Sequence, residues 1–143
     1  MRLHKMKLQE ANFPKALDIW ESSVIATHDF LKEEDRIILK QEIPTYFQQV
    51  EAYLWFVGQE AIGFSGTHDH NLEMLFIDPK HFNQGYGSEI LQYLIQQGKV
   101  SYVDVNKDNE RAIEFYLKNG FEVYKTSQTD AQGRNYPILH MKL

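Results

Sequence analysis

The 143-residue sequence contains no cysteine, which excludes a disulfide framework, a cysteine-ligated zinc site and a thiol nucleophile. No apolar run approaches the roughly 20 residues of a membrane span, and residues 1–5 lack the apolar stretch of a signal peptide. Lysine and arginine form no block, and the formal net charge is -5, so nucleic acid is not an expected partner. These absences predict a cytoplasmic protein that acts on neither membranes nor nucleic acid.

The residues that are present indicate one packed domain. Hydrophobic residues make up 43% of the chain and aromatic residues 13%, which is typical of globular proteins and argues against disorder. A chain of this length buries roughly two thirds of the surface that its unfolded form exposes, and it needs no cross-links to be stable. Because the sequence has no internal repeat, low-complexity tract or linker, we expect a single domain spanning residues 1–143.

Hydrophobic periodicity predicts a series of strands and helices. Apolar residues recur at helical spacing after Pro14, which suits the first turn of a helix because its missing N–H would be unpaired there anyway. Pro44 is expected to interrupt a second helical segment, and Gly120 is expected to end the last helix. The predicted elements are a strand at 2–8, a helix that begins at 12–14, a helical segment at 32–50, strands at 53–57, 61–66 and 72–77, a helix at 85–97, a strand at 100–105, a helix at 109–119, and strands at 121–127 and 136–142.

The order of these elements indicates a mixed α/β sheet. Residues 72–105 form a strand, a helix and a second strand, a unit that requires a right-handed crossover and a parallel strand pair. The strands just before this unit follow one another through short turns, so the front half of the sheet should be antiparallel. Helices are expected on both faces of the sheet.

A glycine-bearing turn, residues 84–88 (Gln-Gly-Tyr-Gly-Ser), leads into one of the predicted helices. A helix N-terminus presents unpaired N–H groups and the positive end of the helix dipole, and glycine lets an anion approach the backbone closely. The turn is therefore a candidate phosphate site, although glycines at a helix start are often purely structural. A dinucleotide-binding turn would need a third glycine near Ile90, and no Gly-Lys-Ser/Thr loop is present.

A denser motif lies downstream in residues 109–121, Asn-Glu-Arg-Ala-Ile-Glu-Phe-Tyr-Leu-Lys-Asn-Gly-Phe. It resembles the N-x-x-A-x-x-F-Y-x-x-x-G-F segment of the GNAT superfamily of N-acetyltransferases, and the predicted element order agrees with the GNAT fold along nearly the whole chain. Residues 26–31 and the closing Asp130-x-x-Gly133-x-x-Tyr136-Pro137 further resemble the YjaB-like bacterial acetyltransferases. The resemblance implies a mostly antiparallel sheet with a central, splayed parallel pair.

The resemblance also implies a CoA site. The R/Q-x-x-G-x-G/A turn of the family falls on residues 82–87, where both glycines are present but Phe82 replaces the usual arginine or glutamine. This departure removes a charge contact with the pyrophosphate and leaves the backbone contacts. In the family, the strand at residues 75–77 pairs with the pantetheine amides. The implied CoA-binding residues are Leu75, Phe76, Ile77, Gln84, Gly85, Tyr86, Gly87, Ser88, Asn109 and Tyr116.

The reaction implied by the resemblance is direct acetyl transfer from acetyl-CoA, as co-substrate, to an amine, without a metal. Most of the rate gain should come from positioning the amine, and a backbone N–H near Phe76 or Ile77 would stabilise the oxyanion. Tyr116 lies where many members place the general acid for the leaving thiolate. A tyrosine with a pKa of about 10 is a weaker acid than a thiol with a pKa of about 8.5, so a local pKa shift is expected to ease the proton transfer.

Two residues are candidates for the base that deprotonates the amine. Glu73 lies on the central strand, near where some family members keep a catalytic glutamate. If its carboxylate faces inward in this otherwise apolar run, burial should raise its pKa. His28 is the second candidate, because it lies in the helix–loop segment that shapes the acceptor pocket in the family.

Each of these assignments has a structural alternative. Tyr116 could be a core aromatic residue on an amphipathic helix, and Glu73 could lie on the exposed face of an alternating strand. His28 could be a capping or hydrogen-bonded loop histidine, and Asn109 could serve only as the N-cap of its helix. Residues 68–70, His-Asp-His, invite a metal interpretation, but such a group at a hairpin turn is more often a solvated turn, so no metal is expected.

The sequence thus predicts an acetyl-CoA-dependent N-acetyltransferase whose acceptor is a protein lysine, an N-terminus or a small-molecule amine. The acidic net charge suits a cationic acceptor. Phe82 motivates one alternative, an acyl-CoA-binding module without catalysis, and an unrelated α/β domain with a chance match to both motifs is another. Homodimers are common in the family, so the resemblance allows one, although no residue here indicates it.

Overall fold

A seven-stranded sheet flanked by four α-helices is formed by residues 3–28 and 30–143, the residues that the computed structural model describes. The strands are β1 (Leu3–Lys7), β2 (Glu51–Val57), β3 (Glu60–His68), β4 (Asn71–Ile77), β5 (Tyr102–Asn106), β6 (Glu122–Ser127) and β7 (Ile138–Lys142). The helices are α1 (Phe13–Thr27), α2 (Glu33–Phe47), α3 (Tyr86–Gln96) and α4 (Glu110–Lys118). The predicted order of strands and helices is confirmed. Arg2 of the predicted first strand and Asp29 of the 26–31 segment lie outside the described residues.

Helix α2 runs without interruption, so the predicted break near Pro44 is wrong. A proline inside a helix removes one N–H from the hydrogen-bond ladder, but Pro44 lies close to the C-terminal end of α2, where little helix remains to be disrupted. Ile43 and Phe47 on either side of it are buried in the core. Their packing against the sheet holds this last turn in helical form.

Strands β4 and β5 form the predicted parallel pair at the centre of the sheet. The sheet order is β1-β2-β3-β4-β5-β7-β6, and the other neighbouring strands are antiparallel. Within the described residues, β4 and β5 pair at two positions, Asn71 with Tyr102 and Leu72 with Val103. Both strands continue beyond these positions and diverge. The predicted mixed, mostly antiparallel sheet with a central splayed pair is therefore confirmed, and the divergence leaves an opening in its middle.

Helices cover both faces of the sheet. On one face, α3 and α4 pack through Trp55, Val57, Ile62, Leu72, Ile90, Leu91, Leu94, Val100, Val103, Val105, Tyr116, Phe121 and Met141. On the other face, α1 and α2 pack through Leu8, Ala16, Ile19, Trp20, Val24, Ile43, Phe47, Ala52, Leu54, Ala61 and Phe64. Each fully buried large side chain stabilises the fold by about 1.5–3 kcal/mol. In the described part of the chain, no helix is both long and apolar enough to cross a membrane.

Strand β4 is held from both sides at the point where the sheet opens. Leu75 and Ile77 pack against the α3–α4 core, and Met74 and Phe76 pack against the α1–α2 core. Close packing on both faces keeps a strand in one position because a packed interior resists displacement. The edge of β4 that borders the opening is therefore a rigid support for whatever binds there.

Candidate active site

The opening between β4 and β5 continues into a groove with a volume of about 620 Å³. Its walls come from β4, β5, the start of α3 and α4, and the end of α1 contributes to its rim. The predicted site residues that line it are His28, Glu73, Leu75, Phe76, Ile77, Gly85, Tyr86, Gly87, Ser88, Asn109 and Tyr116. The fold thus brings together in one groove residues that lie far apart in the sequence.

Gln84 is a predicted CoA-binding residue that is not among those lining the groove. Its neighbours Asn83 and Gly85 both have positive φ angles, 62° and 84°. The turn that these angles produce leaves Gln84 exposed. The turn offers glycine and backbone groups to the groove, and the CoA contact of Gln84 stays a prediction.

Helix α3 begins at this turn with Gly85 as its N-cap. Its first hydrogen bond runs from the N–H of Glu89 to the carbonyl of Gly85, at 3.1 Å. The N–H groups of residues 86–88 therefore have no acceptor within the helix. A Cβ at Gly85 would meet no protein atom within 4 Å, so the space beside these donors is open. Together with the helix dipole, they make the turn a candidate anion site.

Gly87 meets a different requirement from Gly85. A Cβ at Gly87 would lie 3.3 Å from Cε1 of Phe115 on α4, which is closer than an ordinary van der Waals contact. Glycine at this position lets α3 and α4 approach each other across the end of the groove. The two glycines of the motif therefore have separate roles, one in opening the turn and one in packing the two helices.

Glu73 is the extra residue of a β-bulge. Gly66 on β3 pairs with Met74, and Thr67 pairs with Leu72, so Glu73 has no partner in this register. A bulge bends its strand and changes the direction of the side chains that follow, and bulges occur often beside active sites. Here the bulge lies on β4 next to the opening, and Glu73 lines the groove.

The environment of Glu73 raises the pKa of its carboxyl group. Partial burial is the main cause, and the neighbouring Asp104 adds to the rise by repulsion. A hydrogen bond with the Asn71 side chain and the proximity of His68 lower the pKa and offset part of the rise. The predicted upward shift is confirmed. Glu73 itself is exposed, and its carboxylate is only partly removed from water.

Replacing Glu73 by glutamine is expected to make the protein at least as stable as the wild type at neutral pH. Because folding raises the pKa of this carboxyl group, the folded state binds the proton more tightly than the unfolded chain. The stability linked to Glu73 is therefore fully present below the unfolded pKa of about 4.3 and is lost as the pH rises through the folded pKa. In thermal unfolding, the melting temperature of Glu73→Gln should exceed that of the wild type at pH 7.5, and this difference should shrink at pH 4.

A second glutamate variant separates this effect from a simple change in net charge. Glu122 lies at an exposed position of β6 and does not line the groove. The variant Glu122→Gln removes the same charge and should lack the gain at pH 7.5. A Glu73→Gln protein that is less stable than the wild type at that pH would show that the carboxylate is stabilised in the folded state.

The sequence of α4 places Tyr116 at the groove through a cap at each end of the helix. At the start, Oδ1 of Asn109 accepts a hydrogen bond from the N–H of Ala112 at 3.1 Å, which is an N-cap. At the end, Gly120 has a φ of 95° and the N–H of Phe121 bonds to the carbonyl of Tyr116 at 3.0 Å. This is the Schellman pattern, and the Phe121 and Tyr116 rings pack beside it at 5.6 Å. The prediction that Gly120 ends this helix is confirmed.

Tyr116 is buried, with 8% of its surface exposed, and it lines the groove. Burial raises the pKa of its hydroxyl group above the ordinary value, so the hydroxyl is protonated across the physiological pH range. Burial therefore makes Tyr116 a weaker acid, so the shift of its own pKa does not ease the proton transfer. Among the described residues, no hydrogen bond to the Tyr116 hydroxyl is found, which leaves it available to a molecule in the groove.

His28 connects the end of α1 to the start of α4. Its Nδ1 lies 2.6 Å from Oγ1 of Thr27, which itself donates to the carbonyl of Ser23. Since the Thr27 proton is used on Ser23, Nδ1–H of His28 is the donor in the first contact. On the other side of the ring, Nδ2 of Asn109 donates to Nε2 of His28 at 3.2 Å, because Oδ1 of Asn109 already caps α4. Nε2 could thus accept a substrate proton only after Asn109 moves away.

Four Asp, Glu, Lys or Arg residues that the sequence prediction did not include also line the groove: Asp104 on β5, and Arg111, Glu114 and Lys118 on α4. The alternation of β5 carried a signal for Asp104, because Val103 and Val105 are buried against the α3–α4 core and the residue between them must face the other side. His140 on β7 approaches the same carboxylate, with Nδ1 2.6 Å from Oδ1 of Asp104. No comparable pattern marks Arg111.

The His-Asp-His turn at residues 68–70 is held by contacts of its own. His68 and Asp69 pair through Nε2 and Oδ2 at 3.2 Å, and Nδ1 of His70 lies 3.1 Å from the carbonyl of Gly98. In the part of the chain that the structure describes, no three histidine or acidic side chains come together as a metal site would require. These contacts agree with a structural role for the turn.

Comparison with known proteins gives consistent results. The profile of the Acetyltransferase (GNAT) family matches residues 15–121. Peptidyl-lysine N-acetyltransferase YjaB of Escherichia coli (strain K12) is 35% identical over 126 residues, which are 86% of this chain and 84% of that protein. The solution structure of apo-form YjaB from Escherichia coli has a TM-score of 0.90 at 28% identity, covering 99% of this chain and 97% of that one. The PaiA N-acetyltransferase from Thermoplasma acidophilum in complex with coenzyme A shares the fold, with a TM-score of 0.74 at 19% identity and 100% coverage of both chains.

Proposed function

Since the chain belongs to the acetyltransferase (GNAT) family and is an N-acetyltransferase, we propose that it transfers the acetyl group of acetyl-CoA to the side-chain amine of lysines in proteins. The observation that carries the proposal is the groove, which connects the N-terminus of α3 to an opening beside two carboxylates, Glu73 and Asp104. The relative from Escherichia coli is named a peptidyl-lysine N-acetyltransferase and aligns with most of both chains. Acetyl transfer, rather than CoA binding without catalysis, is therefore the supported activity.

The chemistry of the groove fits acetyl-CoA along its length. The N–H groups of residues 86–88, which have no acceptor within the helix, and the open space beside Gly85 suit a pyrophosphate. Beyond the two positions paired with β5, the edge of β4 at residues 75–77 has N–H and C=O groups available for the amides of an extended ligand. Leu75, Phe76 and Ile77 remain proposed CoA contacts for this reason, together with Gly85, Tyr86, Gly87 and Ser88.

The proposed reaction is a direct transfer that needs two proton movements. Acetyl-CoA supplies an acetyl group activated as a thioester, so a C–N bond to the lysine forms and the C–S bond breaks. The lysine ammonium must first lose a proton to a base, and the leaving thiolate must gain one from an acid. The task of the chain is to hold the amine beside the opening and to place an acid and a base on either side of it.

Tyr116 is the proposed acid. Tyr116 lines the groove, and its hydroxyl group is protonated at physiological pH because burial raises its pKa. Burial has the same effect on a thiolate, since desolvation disfavours any charged form. A leaving sulfur in the same groove should therefore also become more basic, and this change favours proton transfer from Tyr116.

Glu73 is proposed as the base in preference to His28. Its raised pKa brings the carboxylate closer to the operating pH, where a base is most effective. The second carboxylate, Asp104, adds negative charge at the same place and should attract a cationic lysine. His28 is bonded through Nδ1 to Thr27 and through Nε2 to Asn109, so we propose that it positions the start of α4.

A matched set of acceptors tests the proposed substrate class. One peptide carries a single lysine and a blocked N-terminus, a second carries a free N-terminus with arginine in place of that lysine, and spermidine represents small amines. We expect acetylation of the first peptide at Nζ of its lysine, at least about tenfold faster than acetylation of the other two acceptors, measured by mass spectrometry over time. Preferential acetylation of the free N-terminus or of spermidine would contradict the lysine proposal.

A further inference from the structure

The turn proposed to hold the CoA pyrophosphate contains no basic side chain of its own. Residues 82–88 include neither lysine nor arginine, and Phe82 occupies the position where the resemblance leads us to expect arginine or glutamine. Backbone N–H groups can bind a phosphate, but a guanidinium adds charge and paired donors that match phosphate geometry. A positive charge at this site must therefore come from another part of the chain.

Arg111, from the first turn of α4, lies against this turn. Its Cζ is 4.1 Å from the centre of the Phe82 ring, which is a cation–π contact. Its Nη2 is 3.5 Å from Oδ1 of Asn83, and all three residues line the groove. The ring and the Asn83 oxygen hold the guanidinium beside the turn, and a guanidinium has further N–H groups that can bind an anion.

Among the residues that the structure describes, Arg111 has no acidic partner that neutralises its charge. Within residues 3–28 and 30–143, the ion pairs closer than 4 Å do not include Arg111. Arg111 also occupies the N-terminal turn of a helix, where the positive end of the dipole disfavours a cation. A cation kept in an unfavourable position beside an anion-binding turn indicates an anionic partner that comes from outside the chain.

We propose that Arg111, stacked on Phe82, binds the pyrophosphate of CoA and supplies the positive charge that the turn lacks. The inference rests on the proposed use of acetyl-CoA. It gives Phe82 a role, because an aromatic ring at the first position of the motif is the platform on which an arginine from α4 rests. In this interpretation, the positive charge comes from α4, and phenylalanine at position 82 does not indicate that CoA binding has been lost.

Binding of CoA variants to three proteins tests the inference. Dissociation constants for CoA and 3′-dephospho-CoA, measured by calorimetry, separate the contribution of the pyrophosphate, which both ligands carry, from that of the 3′-phosphate, which only CoA carries. We expect Arg111→Gln to weaken binding of both nucleotides by about tenfold or more. Phe82→Leu, which removes the platform but no charge, should cause a smaller loss in the same pattern.

Lys107→Gln is the matched control, since it removes an exposed cation close to α4 that does not line the groove. Its affinities should stay within twofold of the wild type. Arg111→Gln affinities within twofold of the wild type would overturn the inference, and so would a loss seen with CoA but not with 3′-dephospho-CoA. Failure of the wild type itself to bind acetyl-CoA would instead overturn the proposed function.

Discussion

Replacing Gly85 with valine is expected to abolish binding of acetyl-CoA while the chain still folds. Gly85 caps α3 with a φ of 84°, and a side chain there would enter the open space beside the N–H groups at the start of the helix. Loss of two or more charge-assisted hydrogen bonds to a phosphate should weaken binding by about 100-fold or more. Calorimetric titration of wild type and Gly85→Val with acetyl-CoA measures the effect directly.

Gly98→Val is a close control for this variant. Gly98 lies just beyond the other end of α3, has a φ of 72°, and a Cβ there also meets no protein atom within 4 Å. Both variants force a branched side chain into the left-handed region, at a cost to stability of about 1–2 kcal/mol. Only Gly85→Val should lose the ligand. Normal affinity in Gly85→Val would mean that this glycine has a structural role alone, and a similar loss in both variants would point to misfolding of α3.

The second large effect is expected for Tyr116→Phe, which should lower kcat by about 100-fold or more and leave the affinity for acetyl-CoA nearly unchanged. Phenylalanine keeps the ring that packs against Phe115 and Phe121 and removes the hydroxyl group in the groove. An acid that acts on the leaving thiolate contributes to the transition state and little to binding, so kcat and kcat/KM should fall together. Steady-state rates with a lysine peptide, combined with calorimetry, give both quantities.

Tyr93→Phe controls for the loss of a tyrosine hydroxyl outside the groove, since Tyr93 lies on α3 and packs its ring against Trp55. Its kcat should match that of the wild type. An unchanged kcat in Tyr116→Phe would remove Tyr116 as the acid and support its interpretation as a core aromatic residue. A loss of affinity equal to the loss of rate would show that the hydroxyl group binds the ligand and does not transfer a proton.

Much of the fold could be predicted because local patterns and topology agree in this chain. The strand–helix–strand unit that contains the glycine turn demanded a parallel pair, and the structure contains it as β4 and β5. Gly120 ends the last helix in the structure, as the sequence predicts, because its left-handed φ satisfies a Schellman cap. The break predicted at Pro44 is absent because burial of Ile43 and Phe47 in the core outweighs the tendency of proline to interrupt a helix. This packing involves residues far away in the sequence, so the sequence around Pro44 does not predict it.

The sequence predicts those parts of the site that depend on local backbone conformation. It predicts less well the residues whose roles depend on partners far away in the sequence. The glycine turn at the start of α3 and the N-cap of α4 follow from short motifs, and both are present. The bulge at Glu73 depends on the register between β3 and β4, which the sequence of β4 alone does not specify. Asp104 and Arg111 reach the groove from separate elements, so their roles emerge only when the strands and helices are assembled.

The most direct test of acetyl transfer to lysine is a joint count of products from a single reaction. Wild-type protein is incubated with acetyl-CoA and the blocked lysine peptide, and released CoA thiol and acetylated Nζ are measured together, with Gly85→Val as the blank. We predict thiol release that requires the peptide, with one thiol for each acetyl group found on lysine. Thiol release that is independent of the peptide, or binding of acetyl-CoA with no acetylation of the lysine, would contradict the account.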